Sequence, residues 1–200
     1  MPTPTEQARQ LFRDHGGTLR TREALAAGVH PRTLYGMQST GELERLARGL
    51  YRLAGLPPLS DPDLATVAKL IPQGVICLIS ALAYHELTTQ IPHEVHLALP
   101  RTARHPTLKF PPLHVFRFSR QAFEVGIETQ TIDGVSVRIY SPEKTLADCF
   151  KFRNKIGLDV AIEALRTYRG RRRHRLQEVL QYARMCRVES VIRPFLEAIA

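Results

Sequence analysis

Arg32, Thr33, Tyr35 and Ser39 fall within eight residues, and Arg48 follows beside Gly49. Small, polar and cationic groups at this spacing suit phosphate oxygens and base edges. Arg20 and Arg22, just upstream, add two more cations to the same stretch. A second concentration of charge is the run Arg169, Arg171, Arg172, Arg173 and Arg175, five arginines in seven residues. Arginines this close repel one another, so an anionic partner relieves a real cost. Phosphate is the natural candidate, and neutralising several phosphates gives a steep salt dependence. RNA and an acidic protein surface compete with DNA as partners of this run.

Catalytic patterns are missing. There is no GxxxxGK, GxGxxG or GxSxG string, hence no phosphate cradle and no nucleophile elbow. His85-Glu86 opens an HExxH-like string, but position 89 is threonine, which removes the second zinc ligand. His93 and His96 sit three apart on what reads as a strand, so they point to opposite faces, as rim histidines rather than a shared metal site. The carboxylates of the middle segment form no tight motif for a divalent ion. Glu143 is accounted for by a helix start, and Lys144 with Asp148 forms an i, i+4 pair in the less favourable order. The expectation is a protein that is not an enzyme, with no metal ligand set and no cofactor.

The net charge of +9 and a pI near 9.9 also point to an anionic partner. The charge is unevenly placed. Residues 1–56 hold eight arginines against five acids, residues 57–140 balance seven against seven, and residues 141–200 hold thirteen bases against seven acids. Cys77, Cys149 and Cys186 are far apart and odd in number, so buried reduced thiols are expected. No apolar run approaches the length of a membrane span and no secretory leader is visible, so the expected compartment is the cytoplasm.

The elements that must position these groups read as follows. A helix capped by Thr5 carries Ala8, Leu11 and Phe12 and stops at Gly16-Gly17. Thr21 caps a short second helix, and Pro31 opens a third that runs to about Ser39. Leu11, Leu25 and Leu34 share a core with Met37, leaving Arg32, Thr33, Tyr35, Gly36 and Ser39 on the exposed face. Leu43–Leu46 and Leu50–Leu53 form a hairpin with Arg48 at its tip. This order is that of a winged helix-turn-helix.

A boundary falls near Gly55-Leu56-Pro57-Pro58, giving domains 1–56 and 57–200, the latter with an α/β part (57–140) and a helical part (141–200). Pro62 opens a helix, Val75–Leu78 reads as a buried strand, and Ser80 caps a helix to about Leu87. Further strands are His93–Leu99, Leu113–Phe118, Val125–Ile132 and Val135–Tyr140, the last two around the hairpin signal Asp133-Gly134. A small, largely antiparallel sheet is expected, then a helical bundle in which Pro194 interrupts the last apolar stripe. The fold class is α+β.

Three strings resemble the AbiEi-type antitoxins of bacterial toxin–antitoxin systems. They are Arg48-Gly49-Leu50-Tyr51-Arg52-Leu53, then Ile79 to Thr88 with Gln90-Ile91-Pro92 and Leu97-Ala98-Leu99-Pro100, and Ser141-Pro142-Glu143-Lys144-Thr145-Leu146-Ala147-Asp148. The resemblance implies an N-terminal winged helix that represses its own promoter at inverted repeats in double-stranded DNA. It implies a second domain with the antitoxin function, opposing a nucleotidyltransferase toxin in phage defence, not always through a stable complex. Carried over by position, DNA contacts fall on Arg32, Thr33, Tyr35 and Arg48. Two alternatives stay open: a stand-alone winged-helix transcription factor whose second domain senses a ligand or partner, and a nucleic-acid-processing enzyme.

Overall fold

The computed structural model describes residues 2–199. The chain divides by contacts into two units, residues 1–72 with 130–137, and residues 73–129 with 138–200. Residues 57–72, assigned from sequence to the second domain, group with the first unit.

In the first unit, α1 (Pro4–Asp14), β1 (Thr18–Arg20), α2 (Thr21–Ala26), α3 (Pro31–Ser39), β2 (Leu43–Ala47), β3 (Leu50–Leu53) and α4 (Pro62–Leu70) follow in order. The cap of α1 is Thr3, not Thr5. Its hydroxyl accepts from the Glu6 N–H while the Glu6 carboxylate accepts from the Thr3 N–H, so a reciprocal capping box outcompetes the later threonine. α2 starts at Thr21 itself, with Glu23 reaching back to the Arg20 N–H at 2.9 Å. Pro31 occupies the first turn of α3 as expected, and the His30 ring caps the Arg32 N–H at 3.2 Å. The strands form an antiparallel sheet of order β1-β3-β2.

Ala8, Phe12, Leu19, Ala24, Leu34, Met37, Leu43, Tyr51 and Leu53 make the core of this unit, with Leu11 packed at its edge. Leu25 is a correction: it is 39% exposed, because Ala24 is the residue α2 turns inward. The Asp133-Gly134 turn belongs to this unit. Asp133 accepts from the Ser60 N–H and hydroxyl, both at 3.0 Å, and from the Asp61 N–H at 3.2 Å. Gly134 must be glycine: its φ is +76°, and a Cβ there would lie 3.1 Å from the Gly16 Cα.

The second unit contains β4 (Val75–Ile76), α5 (Leu78–Tyr84), β5 (Val95–Pro100), β6 (Leu113–Phe118), α6 (Arg120–Glu124), β7 (Ile127–Ile132), β8 (Val135–Tyr140), α7 (Pro142–Lys151), α8 (Arg153–Ile156), α9 (Leu158–Arg169), α10 (Leu176–Met185) and α11 (Glu189–Ala198), the outer parts of β7 and β8 being those counted with the first unit. The sheet order is β6-β5-β4-β8-β7. Antiparallel pairing joins β4 to β5, whereas β5–β6 and β4–β8 pair in parallel. This sheet is therefore mixed where a largely antiparallel one was expected; for β5–β6 the 101–112 connection is long enough to bring β6 back alongside β5 in the same direction. Ser80 caps nothing: α5 begins at Leu78, and the buried Ser80 hydroxyl accepts from the His96 N–H at 2.9 Å. α11 runs through Pro194 without interruption.

α7 lies at the centre of the core, buried from Glu143 to Phe150. Ser141 caps it, accepting from the Lys144 N–H at 3.2 Å. Lys144 and Asp148, expected as an ordinary helical pair, are 0% exposed and bonded at 2.5 Å. The Lys144 ammonium also sits 4.2 Å from the Tyr140 ring centre and 5.0 Å from that of Phe118. Glu143 does more than start the helix: it accepts from the Tyr168 hydroxyl at 2.5 Å and pairs with Arg175 at 3.2 Å. Burial, then Glu143, pushes the Tyr168 hydroxyl up to about 12, so it remains a donor at neutral pH.

Candidate nucleic-acid interface

α3 is nine residues long and has two faces. Leu34 and Met37 are 0% and 2% exposed and anchor it in the core. Arg32, Tyr35, Gly36 and Ser39, at i, i+3, i+4 and i+7, form an exposed stripe on the opposite side. Tyr35 is 53% exposed, a large aromatic held out by the same helical turn that buries Leu34. Thr33 is half-buried at the edge of the stripe. The Ser39 hydroxyl donates back to the Gly36 carbonyl at 2.8 Å, so in the free protein one of its hydrogen-bonding functions is occupied within the helix. Gly36 has open space where a Cβ would stand, which keeps the stripe flat beside Tyr35.

The hairpin joining β2 and β3 presents Arg48 and Gly49, and a bulge between Arg45 and Ala47 bends β2 just before the tip. The Thr21 N–H donates to the Gly49 carbonyl at 2.9 Å, which holds the start of α2 against the tip. Arg22 and Arg48 are thus on adjoining segments, and both are exposed. Arg20 differs from them. It is half-buried and donates to the Leu70 carbonyl at 2.6 Å, at the C-terminal end of α4, where a cation is favoured. Burial and then Arg22 lower its pKa. Arg45, on β2 and also exposed, was not singled out; strand alternation places it on the same face as the buried Leu43, so the pattern gave no signal for it.

The arginine run of the second unit splits in the same way. Arg171 donates to the His85 and Glu86 carbonyls, which end α5. Arg175 pairs with Glu143 and, at 2.9 Å, with Glu178. Arg169 is half-buried. Arg172 and Arg173 are exposed, and their side chains take no hydrogen bond or ion pair among the described residues. The mutual repulsion inferred for five free cations is therefore relieved inside the chain for two of them.

The exposed stripe of α3 thus belongs to a small module of helices and a three-stranded antiparallel sheet. Residues 6–54 match the family model described as a transcriptional regulator, AbiEi antitoxin. The segment resembling that family by its Arg48–Leu53 string is thus matched by the family itself. The fold of the chain is similar to that of the RV2827C protein from Mycobacterium tuberculosis, at 15% identity and a TM-score of 0.58, over 98% of this chain and 82% of that one. No curated protein matches the sequence. No helix among the described residues is long and apolar enough to cross a membrane.

Proposed function

We propose that the first unit is a winged helix-turn-helix that binds inverted repeats in its own promoter, and that the protein is an autorepressor and antitoxin. The observation that carries this is the coincidence of the 6–54 family match with a helix that exposes Arg32, Tyr35, Gly36 and Ser39 as one stripe. In this reading α3 lies in the major groove, with Arg32 and Tyr35 meeting bases or phosphates, and the β2–β3 hairpin is the wing, placing Arg48 and Arg22 on the flanking backbone. Arg172 and Arg173 are the free cations of the 169–175 run and its candidates for phosphate or for an acidic partner.

The second unit counteracts a nucleotidyltransferase toxin in a cytoplasmic phage-defence system, with no catalysis of its own. The test has two arms. A reporter driven by the chain's own upstream region is repressed by the wild-type protein and released by Arg32→Ala. Co-expression with a neighbouring nucleotidyltransferase restores growth in both cases. Repression without rescue would leave a stand-alone transcription factor.

A further inference from the structure

The parallel register of β5 and β6 sets His96 directly across from His114. Glu94 stands just before β5, and its carboxylate is 2.8 Å from His114 Nδ1 and 3.7 Å from His96 Nε2. One ligand atom from each of the three residues lies within 4.8 Å of the others. We propose that Glu94, His96 and His114 bind a divalent transition-metal ion of the Zn2+ type, tying the edge strand β6 to β5.

Three features carry this. First, bonds of about 2.0–2.1 Å in a tetrahedral site put neighbouring ligand atoms about 3.3 Å apart. The 2.8 and 3.7 Å separations from Glu94 bracket that value, and the two imidazole nitrogens lie within 4.8 Å of each other, so side-chain adjustment would bring the three ligands around one ion. Second, His96 is 6% exposed, and its Nε2 faces the Glu94 carboxylate from beyond hydrogen-bond distance, which leaves that nitrogen's lone pair for an ion held between the two. Third, Phe116 supports both rings, stacked on His114 at 4.5 Å and tilted against His96 at 5.1 Å.

Two imidazoles and one carboxylate suit Zn2+ and its first-row neighbours rather than Mg2+ or Ca2+. Three protein ligands leave a coordination position for water or a partner group. A cleft of about 300 Å3 lined by Ile91, Pro92, His93, Glu94, His96 and Pro112 gives that position access from solvent. The sequence reading expected no ligand set, because the three residues converge only through the pairing of two strands separated by the 101–112 connection. The inference stands apart from the DNA-binding reading.

The test uses the full, tag-free chain stripped with chelator. Titration with Zn2+ followed by calorimetry gives one equivalent bound saturably, and 15N spectra of the wild-type chain show the His96 and His114 imidazole resonances shifting together as the equivalence point is reached. His114→Gln and Glu94→Gln, both at half-exposed side chains, weaken binding about 100-fold or more. His15→Gln in the other unit leaves it unchanged. No saturable binding, binding equal in all three variants, or imidazole shifts confined to other histidines would overturn the proposal.

Discussion

Lys144→Met is the perturbation that tests the packing of the second unit most sharply. Lys144 and Asp148 are fully buried and 2.5 Å apart, and the only other donor to the Asp148 side chain among the described residues is the Cys186 thiol at 3.3 Å. Removing the ammonium leaves a buried carboxylate without a counter-charge, at a cost of about 3–5 kcal/mol. For a chain of this length that lowers Tm by about 6–20 °C.

The loss depends on pH with a definite sign. Burial already holds the Asp148 carboxyl above its ordinary range, with Lys144 pulling against it. Without Lys144 it rises further, so the folded state keeps a proton that the unfolded chain releases near pH 4. Stability of Lys144→Met therefore falls as pH rises above about 4, and levels off once pH passes the folded-state value. The double variant Lys144→Met, Asp148→Ala removes both charges and recovers at least half of the single-variant loss, because an apolar replacement of a buried pair is often close to neutral. Thermal unfolding at pH 5 and pH 8 reads all of this. A Tm within about 2 °C of wild type at pH 8, or a double variant as poor as the two losses added, would refute the reasoning.

Three further outcomes follow from the same geometry. Arg32→Ala costs about 1–3 kcal/mol of binding to the specific site if it reads a base; an equal loss on every DNA sequence makes it a phosphate contact. Replacing Arg172 and Arg173 with Ala lowers the slope of log affinity against log salt by about two phosphate contacts' worth, ~1.8, without loss of Tm, while Arg171→Ala lowers Tm because it uncovers the carbonyls that end α5; an unchanged salt slope would remove the run from the DNA. Gly134→Ala destabilises by more than Gly28→Ala: both positions have positive φ, costing about 1–2 kcal/mol each, but only Gly134 also meets a neighbouring backbone. Equal losses in a denaturation series would show that the Gly16 approach is loose.

Local chemistry was legible in the sequence and non-local pairing was not. Pro31 after His30, Ser141 before Pro142 and the Asp133-Gly134 turn announce helix and hairpin ends through backbone geometry confined to a few residues. The stripe of α3 was legible because Leu34 and Met37 fix which face turns inward. Leu25 misled because six residues of α2 are too few to define a stripe. His96 was read as a rim histidine; His93 is exposed, but His96 is buried, because β5 lies between β4 and β6 and both of its faces are covered. The roles of Arg20, Arg171 and Arg175 lie in carbonyls and carboxylates far along the chain, which spacing cannot reveal. The Ser141–Asp148 string, one carrier of the family resemblance, is a buried structural element of α7 rather than an exposed site.

The most direct test of the regulatory reading is a gel-shift titration of the full chain on its own upstream DNA and on unrelated DNA of equal length, each at two salt concentrations. The account predicts that the promoter fragment is bound in preference at both salts, and that Arg32→Ala removes the preference. Equal, weak and salt-sensitive binding to both fragments would contradict it, leaving a basic protein whose partner is not promoter DNA.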